Sequence, residues 1–145
     1  MSAIKILDEA IHEGMEAGKN HKPNPMIVGQ AKGLFGNDIV PGTEEVVSDG
    51  VCGFAWISIY PKSSEINKQF IKDLKYWDMI DENKNGLSST KRYPFSKISY
   101  LGPVHYQYWV SDFAQSMEKK EAFAKAFVEV LKKYGISASY GSRMD

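Results

Sequence analysis

The last third of the chain constrains the fold most, because strand, helix and strand patterns follow one another there without interruption. Residues 104–111 alternate between two faces, which is typical of a strand. Ser116 begins a predicted helix that runs to Tyr134, and Gly135 follows where a left-handed cap ends a helix. Residues 136–140 alternate again and predict a return to the sheet. The apolar stripe of the helix consists of Phe123, Phe127, Val130, Leu131 and Tyr134.

The rest of the chain predicts two more helices and three more strands. Ser2 caps a helix that reaches Gly18, and Ser63 or Ser64 caps a second one. Strands are predicted at residues 26–30, 51–60 and 97–100, and residues 31–48 and 78–94 are predicted as long loops. The second helix has its predicted apolar face at Ile66, Phe70, Leu74 and Trp77. The order α-β-β-α-β-β-α-β predicts a single α+β domain over residues 1–145, with three helices and a mixed or antiparallel sheet.

Charge and cysteine content exclude several classes of protein. Lys plus Arg and Asp plus Glu both number 18, so no basic surplus favours nucleic-acid binding, although a local basic face is compatible with this balance. The lone Cys52 forms no intramolecular disulfide and no cysteine zinc cluster. The three histidines lack metal-ligand spacing, and we expect neither a metal nor a cofactor. The sequence has no apolar run long enough to cross a membrane and no secretory signal, so we expect a cytoplasmic protein.

Cys52 and His105 are the alternative catalytic pair. Cys52 stands between glycines at a strand start, where a substrate can approach the backbone, and His105 is a candidate base on another strand. Nucleophilic cysteines more often begin a helix, whose dipole lowers the thiol pKa. The favoured interpretation is therefore an ordinary core thiol, with a cysteine-dependent acyl transferase or hydrolase as the alternative.

Residues 81–92 resemble the first half of a calcium-binding loop. Asp81, Asn83 and Asn85 supply oxygen atoms at the right spacing before Gly86. The twelfth position, where a glutamate should close the site, is Arg92. A solvated turn without calcium is therefore predicted.

The candidate binding residues are aromatic, polar and cationic. His105 and Trp109 share one strand face, which looks more like a contact surface than a packed interior. The start of the third helix favours an anionic or carbonyl group, and we expect four residues to lie close together there, with Cys52 nearby. Ser116 is also the expected helix cap, and Asp145 is an alternative ion-pair partner within the chain. The Lys119-Lys120 pair is otherwise interpreted as part of a solvated helix face. The four converging residues are Gln115, Ser116, Lys119 and Arg143.

Two segments resemble a family of small uncharacterised tailed-phage proteins. The first is the Asp-Gly-Val-Cys-Gly-Phe-Ala-Trp strand at residues 49–56, preceded by a proline-methionine segment at residues 24–28. The second runs from Trp109 through Gln115-Ser116-Met117 to the closing Gly-Ser-Arg-Met-Asp of residues 141–145. Ala114 differs from the family pattern, which has glycine there. The resemblance implies a phage origin and the host cytoplasm, but no activity.

The favoured hypothesis is a small binding protein that acts in the infected cell, in host takeover or in modulating host defence, without catalysis. The expected partner is a host or phage protein, or a small anionic ligand. Nucleic acid and membrane are not expected as partners. A minor structural protein of the virion is the other alternative, and homo-oligomerisation is left open.

Overall fold

The computed structural model describes residues 2–22, 52–82, 93–100, 102–114 and 116–144, together with the backbone of four short strands between residues 26 and 47. The helices are α1 (Ala3–Asn20), α2 (Glu65–Tyr76) and α3 (Met117–Lys133), with a 3-10 turn at Pro61–Ser63. The short strands are β1 (Met26–Val28), β2 (Ala31–Lys32), β3 (Asp38–Ile39) and β4 (Glu45–Val47). The main sheet contains β5 (Gly53–Ile59), β6 (Ile80–Asp81), β7 (Phe95–Ile98), β8 (His105–Trp109) and β9 (Ser139–Met144).

The main sheet has the strand order β6-β7-β8-β5-β9. All neighbours pair antiparallel except β6 and β7, which are parallel. The connections β5-α2-β7 and β8-α3-β9, joined by the β7-β8 hairpin, form the split β-α-β arrangement of ferredoxin-like domains. The predicted α+β fold, with three helices and a mixed sheet, is confirmed.

The helices pack on one face of this sheet. Phe127 of α3 is fully buried, and its ring lies 4.9 Å from Tyr108 of β8 and 6.4 Å from Phe95 of β7, between ring centroids. Helix α1 packs against α3 so closely that a Cβ at Gly14 would meet Phe123 at 2.9 Å. The predicted burial of Phe123, Phe127, Val130 and Leu131 is confirmed, and Tyr134, the last residue of the predicted stripe, is half-buried against the same core.

Several predicted boundaries and faces differ from the structure. Helix α2 buries Phe70 and Leu74 as predicted, but Ile66 and Trp77 are exposed and Asn67 is buried instead. The Asn67 amide donates to the carbonyl oxygens of Tyr60 and Ser137, at 3.0 and 2.8 Å, so its polar atoms are satisfied inside the fold. The chain predicted as a loop over residues 31–48 contains β2, β3 and β4, and the predicted 78–94 loop contains β6. Strand β9 begins three residues later than the predicted start at residue 136 and extends to Met144.

Candidate functional site

The start of β5 lies between the first turn of α3 and the end of β9. Cys52 forms an antiparallel bridge with Ser116, and Gly53 pairs with Met144. A Cβ at Gly53 would lie 2.5 Å from the carbonyl oxygen of Arg143 and 2.8 Å from Sδ of Met117, so only glycine fits between them. The backbones of Cys52, Ser116 and Arg143 therefore come together at one corner of the fold, and the predicted cluster of Gln115, Ser116, Lys119 and Arg143 stays a prediction.

Ser116 serves as the helix cap at this corner. Its hydroxyl accepts a hydrogen bond from the backbone N–H of Lys119 at 3.4 Å, and Ser116 is buried. Capping hydroxyls stabilise a helix by satisfying one of its unpaired N–H groups. The structural role that the sequence suggested for this side chain is thus shown, while Lys119 itself is half-buried.

Lys120 is the lysine that reaches the strand, and its side chain is only 4% exposed. Its Nζ donates to the carbonyl oxygen of Gly53 at 3.2 Å and lies 5.4 Å from the centroid of the Phe54 ring. A buried ammonium group is costly without such compensation. The prediction that Lys120 belongs to a solvated helix face is wrong, because this residue anchors α3 to β5.

Three aromatic rings lie side by side on the sheet face that points away from the helices. Trp56 alternates along β5 with the fully buried Ala55 and Ile57, which face the helices, and it pairs directly with Trp109 of β8. The two indole planes are within 7° of parallel, with centroids 5.7 Å apart. The Phe54 ring lies 5.4 Å from Trp109. Trp109 nevertheless remains 43% exposed.

Arg143 completes this surface from the neighbouring strand. It pairs with Phe54 in the register of β5 and β9, and its guanidinium carbon lies 5.7 Å from the centroid of the Phe54 ring. A cation at this distance from a ring is attracted by its π-electrons. We call Phe54, Trp56, Trp109 and Arg143 the aromatic face. Asp145, the predicted alternative partner of Arg143, lies outside the described residues, as does Gln115.

The strands that carry the aromatic face contain no carboxylate. Among the residues of β5, β7, β8 and β9 there is neither Asp nor Glu. Arg143 is the cation of the aromatic face, whereas Lys97 pairs with Tyr106 and therefore lies on the helix side of the sheet. Asp112, an exposed carboxylate beyond the end of β8, influences Tyr108, whose side chain is on the helix side of the sheet. The burial of Tyr108, and secondly the charge of Asp112, raise the pKa of Tyr108 to about 12. The charge of the aromatic face itself is therefore positive.

His105 lies at the opposite end of the sheet from Cys52. Its ring stacks on Tyr60 with centroids 4.7 Å apart, Nδ1 is 3.0 Å from the carbonyl oxygen of Pro103, and the residue is buried. Tyr60 is eight residues after Cys52, which places the thiol and the imidazole about 26 Å apart along an extended strand. The alternative catalytic pair of Cys52 and His105 is excluded by this register, and His105 is not part of the accessible surface.

A broad groove lies elsewhere, between α1 and α3. Alanine side chains form its floor, and Glu9 and Lys133 are on its rim. Lys133 donates to Glu9 at 2.8 Å, and hydrogen bonds from Lys133 and then Tyr134 lower the pKa of Glu9. These contacts tie the two helices together and pair Glu9 with Lys133 within the chain.

Metal-binding groups and membrane-spanning helices are considered next for the residues that the structure describes. Within the described residues, no three His, Cys, Asp or Glu side chains are grouped as they would be around a metal ion. The calcium-like loop falls mostly on residues 83–92, outside the described residues, although its first residue, Asp81, belongs to β6. None of the helices in the described parts of the chain is both long and apolar enough to span a membrane.

Comparison of the chain with protein-family models, with curated proteins and with solved structures gave no match. The resemblance to small phage proteins therefore stays a prediction.

The sequence contained signals for the three residues that were missed, which are Lys120, Phe54 and Trp56. Lys120 precedes Phe123 and Phe127 by three and seven positions, so it lies on the apolar stripe of α3 rather than opposite it. Phe54 and Trp56 share one face of the predicted strand, and the small apolar residues of that strand are on its other face. Aromatic residues placed in this way indicate a second packed or binding surface.

Proposed function

We propose that this protein works by binding, and that the aromatic face is its contact surface. The observation that carries the proposal is Trp109, which remains exposed although it stacks beside Trp56 and Phe54. Tryptophan and arginine dominate the residues that contribute most to binding energy in interfaces, because large rings and a planar cation give much contact area.

The aromatic face is held in position before any partner arrives. The Trp56 indole lies against Gly141, where a Cβ would approach it to 2.9 Å, and Lys120 and Arg143 lie beside the Phe54 ring. Rings fixed in this way lose little conformational freedom on binding, which increases the affinity that a given contact area provides. This arrangement supports a binding role more directly than a catalytic one.

The setting that we propose is the infected host cell, on the basis of the phage resemblance in residues 49–56 and 109–145. Host takeover or modulation of host defence are the processes in which such a small binding protein would act. The alternative, a minor virion component, differs in one observable: the protein would then copurify with intact phage particles.

The test compares two exposed tryptophans. Trp109→Ala removes the centre of the proposed surface, and Trp77→Ala removes a tryptophan of similar exposure, 53%, at the end of α2. Wild type and both variants are immobilised, and what they retain from an extract of phage-infected cells is quantified.

We expect molecules that wild type and Trp77→Ala retain equally and that Trp109→Ala loses. Retention that is the same for all three proteins would contradict the proposal, because nothing would then depend on the aromatic face. Circular dichroism of each variant verifies that the fold is intact.

A further inference from the structure

We propose that the ligand of the aromatic face is single-stranded nucleic acid, whose unpaired bases stack on the tryptophan rings. This inference rests on the proposed function and specifies its ligand. It departs from the expectation based on net charge, because a chain with equal numbers of acids and bases can still present one cationic surface.

The position of the rings in the fold is the first argument. β5 and β8 are the two central strands of the four that form the antiparallel part of the sheet. The side chains that alternate with the three rings, among them Ala55 and Ile57, belong to the core that these strands share with the helices. In RNA-recognition domains, a four-stranded sheet stacks two or three unpaired bases on aromatic residues. This sheet likewise carries aromatic residues on its two central strands, namely Phe54 and Trp56 on β5 and Trp109 on β8.

The exposed ring surface is the second argument. Trp109 offers an exposed indole, and every nucleobase has a π-face that can stack on it regardless of sequence. Bases in a duplex are already stacked on one another, so only an unpaired strand can use this ring. The aromatic face therefore selects single-stranded over double-stranded nucleic acid.

Charge is the third argument. Arg143 lies on β9, two strands away from Trp109, which is about 10 Å at the usual strand spacing. When one base of a strand stacks on Trp109, a phosphate one or two nucleotides away can therefore lie beside Arg143. Asp and Glu are absent from these four strands, and Asp81, the carboxylate of the main sheet, lies on the edge strand β6, at the far side of the sheet from Arg143. Binding of a protein partner would not require these strands to lack Asp and Glu, and we therefore favour nucleic acid as the ligand.

The experiment measures binding of fluorescent twelve-nucleotide oligo-dT and oligo-U by anisotropy at 50 and 200 mM salt. We expect dissociation constants tighter than about 100 μM at the lower salt, in the range of sequence-independent binding. Trp109→Ala should weaken binding roughly 5- to 150-fold, as the loss of one stacked base does, and Trp77→Ala less than about 2-fold. Trp109→Phe keeps a ring and should recover most of the affinity.

The contribution of Arg143 is measured by the salt dependence of the affinity. In Arg143→Gln the slope of log affinity against log salt should fall by about 0.7, the contribution of one phosphate contact on a single strand. Lys68→Gln, which removes an exposed cation on α2, is the matched control and should leave the slope unchanged. In a Trp77→Phe background the remaining emission comes from Trp56 and Trp109, and saturating oligonucleotide should quench it.

The outcomes of these measurements either support or refute single-stranded nucleic acid as the ligand. Preference for oligo-U over oligo-dT would identify RNA as the natural ligand, and the reverse would identify DNA, both in support. No binding to either below about 1 mM, equal binding by wild type and Trp109→Ala, or equal affinity for a duplex would overturn the nucleic-acid inference. If oligonucleotides fail while a protein from infected cells still depends on Trp109, the proposed binding function stands and only this ligand is wrong.

Discussion

Phe127→Ala tests whether the core between α3 and the sheet holds the fold together. The Phe127 side chain is fully buried, and its ring neighbours are Phe95, Tyr108 and Phe123, with centroids between 4.9 and 6.4 Å away. Truncation removes the transfer free energy of the ring and leaves a cavity that the surrounding rings fill only partly. Such substitutions reduce the free energy of unfolding by about 3–5 kcal/mol.

That loss is large compared with the total stability of the protein. A chain of this length has an unfolding free energy of roughly 7–15 kcal/mol, so the variant should fold but with a clearly lower stability. The melting temperature should fall by about 6–20 °C, at roughly 2–4 °C for each kcal/mol. Urea unfolding followed by far-ultraviolet circular dichroism measures the change directly, and the slope with urea should stay constant.

Tyr100→Ala is the matched control, because this aromatic residue is 83% exposed. We expect a change within about 0.5 kcal/mol for it. A loss below about 1 kcal/mol in Phe127→Ala, or equal losses in both variants, would mean that α3 does not pack on the sheet through this stripe.

Four other predictions follow from individual residues. Gly53→Ala should reduce the unfolding free energy by about 1–3 kcal/mol, because the added Cβ meets the carbonyl oxygen of Arg143; urea unfolding measures this. Ala114 has a φ of +48°, so Ala114→Gly should raise the unfolding free energy by up to about 1 kcal/mol in the same assay, and a lower unfolding free energy would contradict this. Tyr108 should ionise near pH 12, so its contribution to stability is complete below about pH 10 and is lost as the pH rises from there toward 12; absorbance titration of Tyr108→Phe should lack that late step. Calorimetry should detect no submillimolar calcium binding to residues 81–92, because Arg92 replaces the closing glutamate.

The candidate site shows how far prediction from the sequence extends. The exposure of Trp109 on β8 and the capping role of Ser116 were both predicted, because alternation and helix caps are local properties, whereas His105 on the same predicted face is buried. That Trp109 and Arg143 lie on one surface was not predicted, since it depends on β5 pairing with β8 on one side and with β9 on the other. The same register separates Cys52 from His105, which the sequence had left as a pair.

Local periodicity by itself determined the α+β class, the three helices and the buried stripe of α3, because an apolar face must be covered wherever it occurs. Only the tertiary structure decided the roles of the polar residues on those faces. Lys120 and Asn67 are buried because the carbonyl oxygens of Gly53 and Ser137 accept their hydrogen bonds, and these acceptors are 67 and 70 residues away in the chain. Whether a polar side chain lies inside a fold depends on such distant partners, which no local pattern encodes.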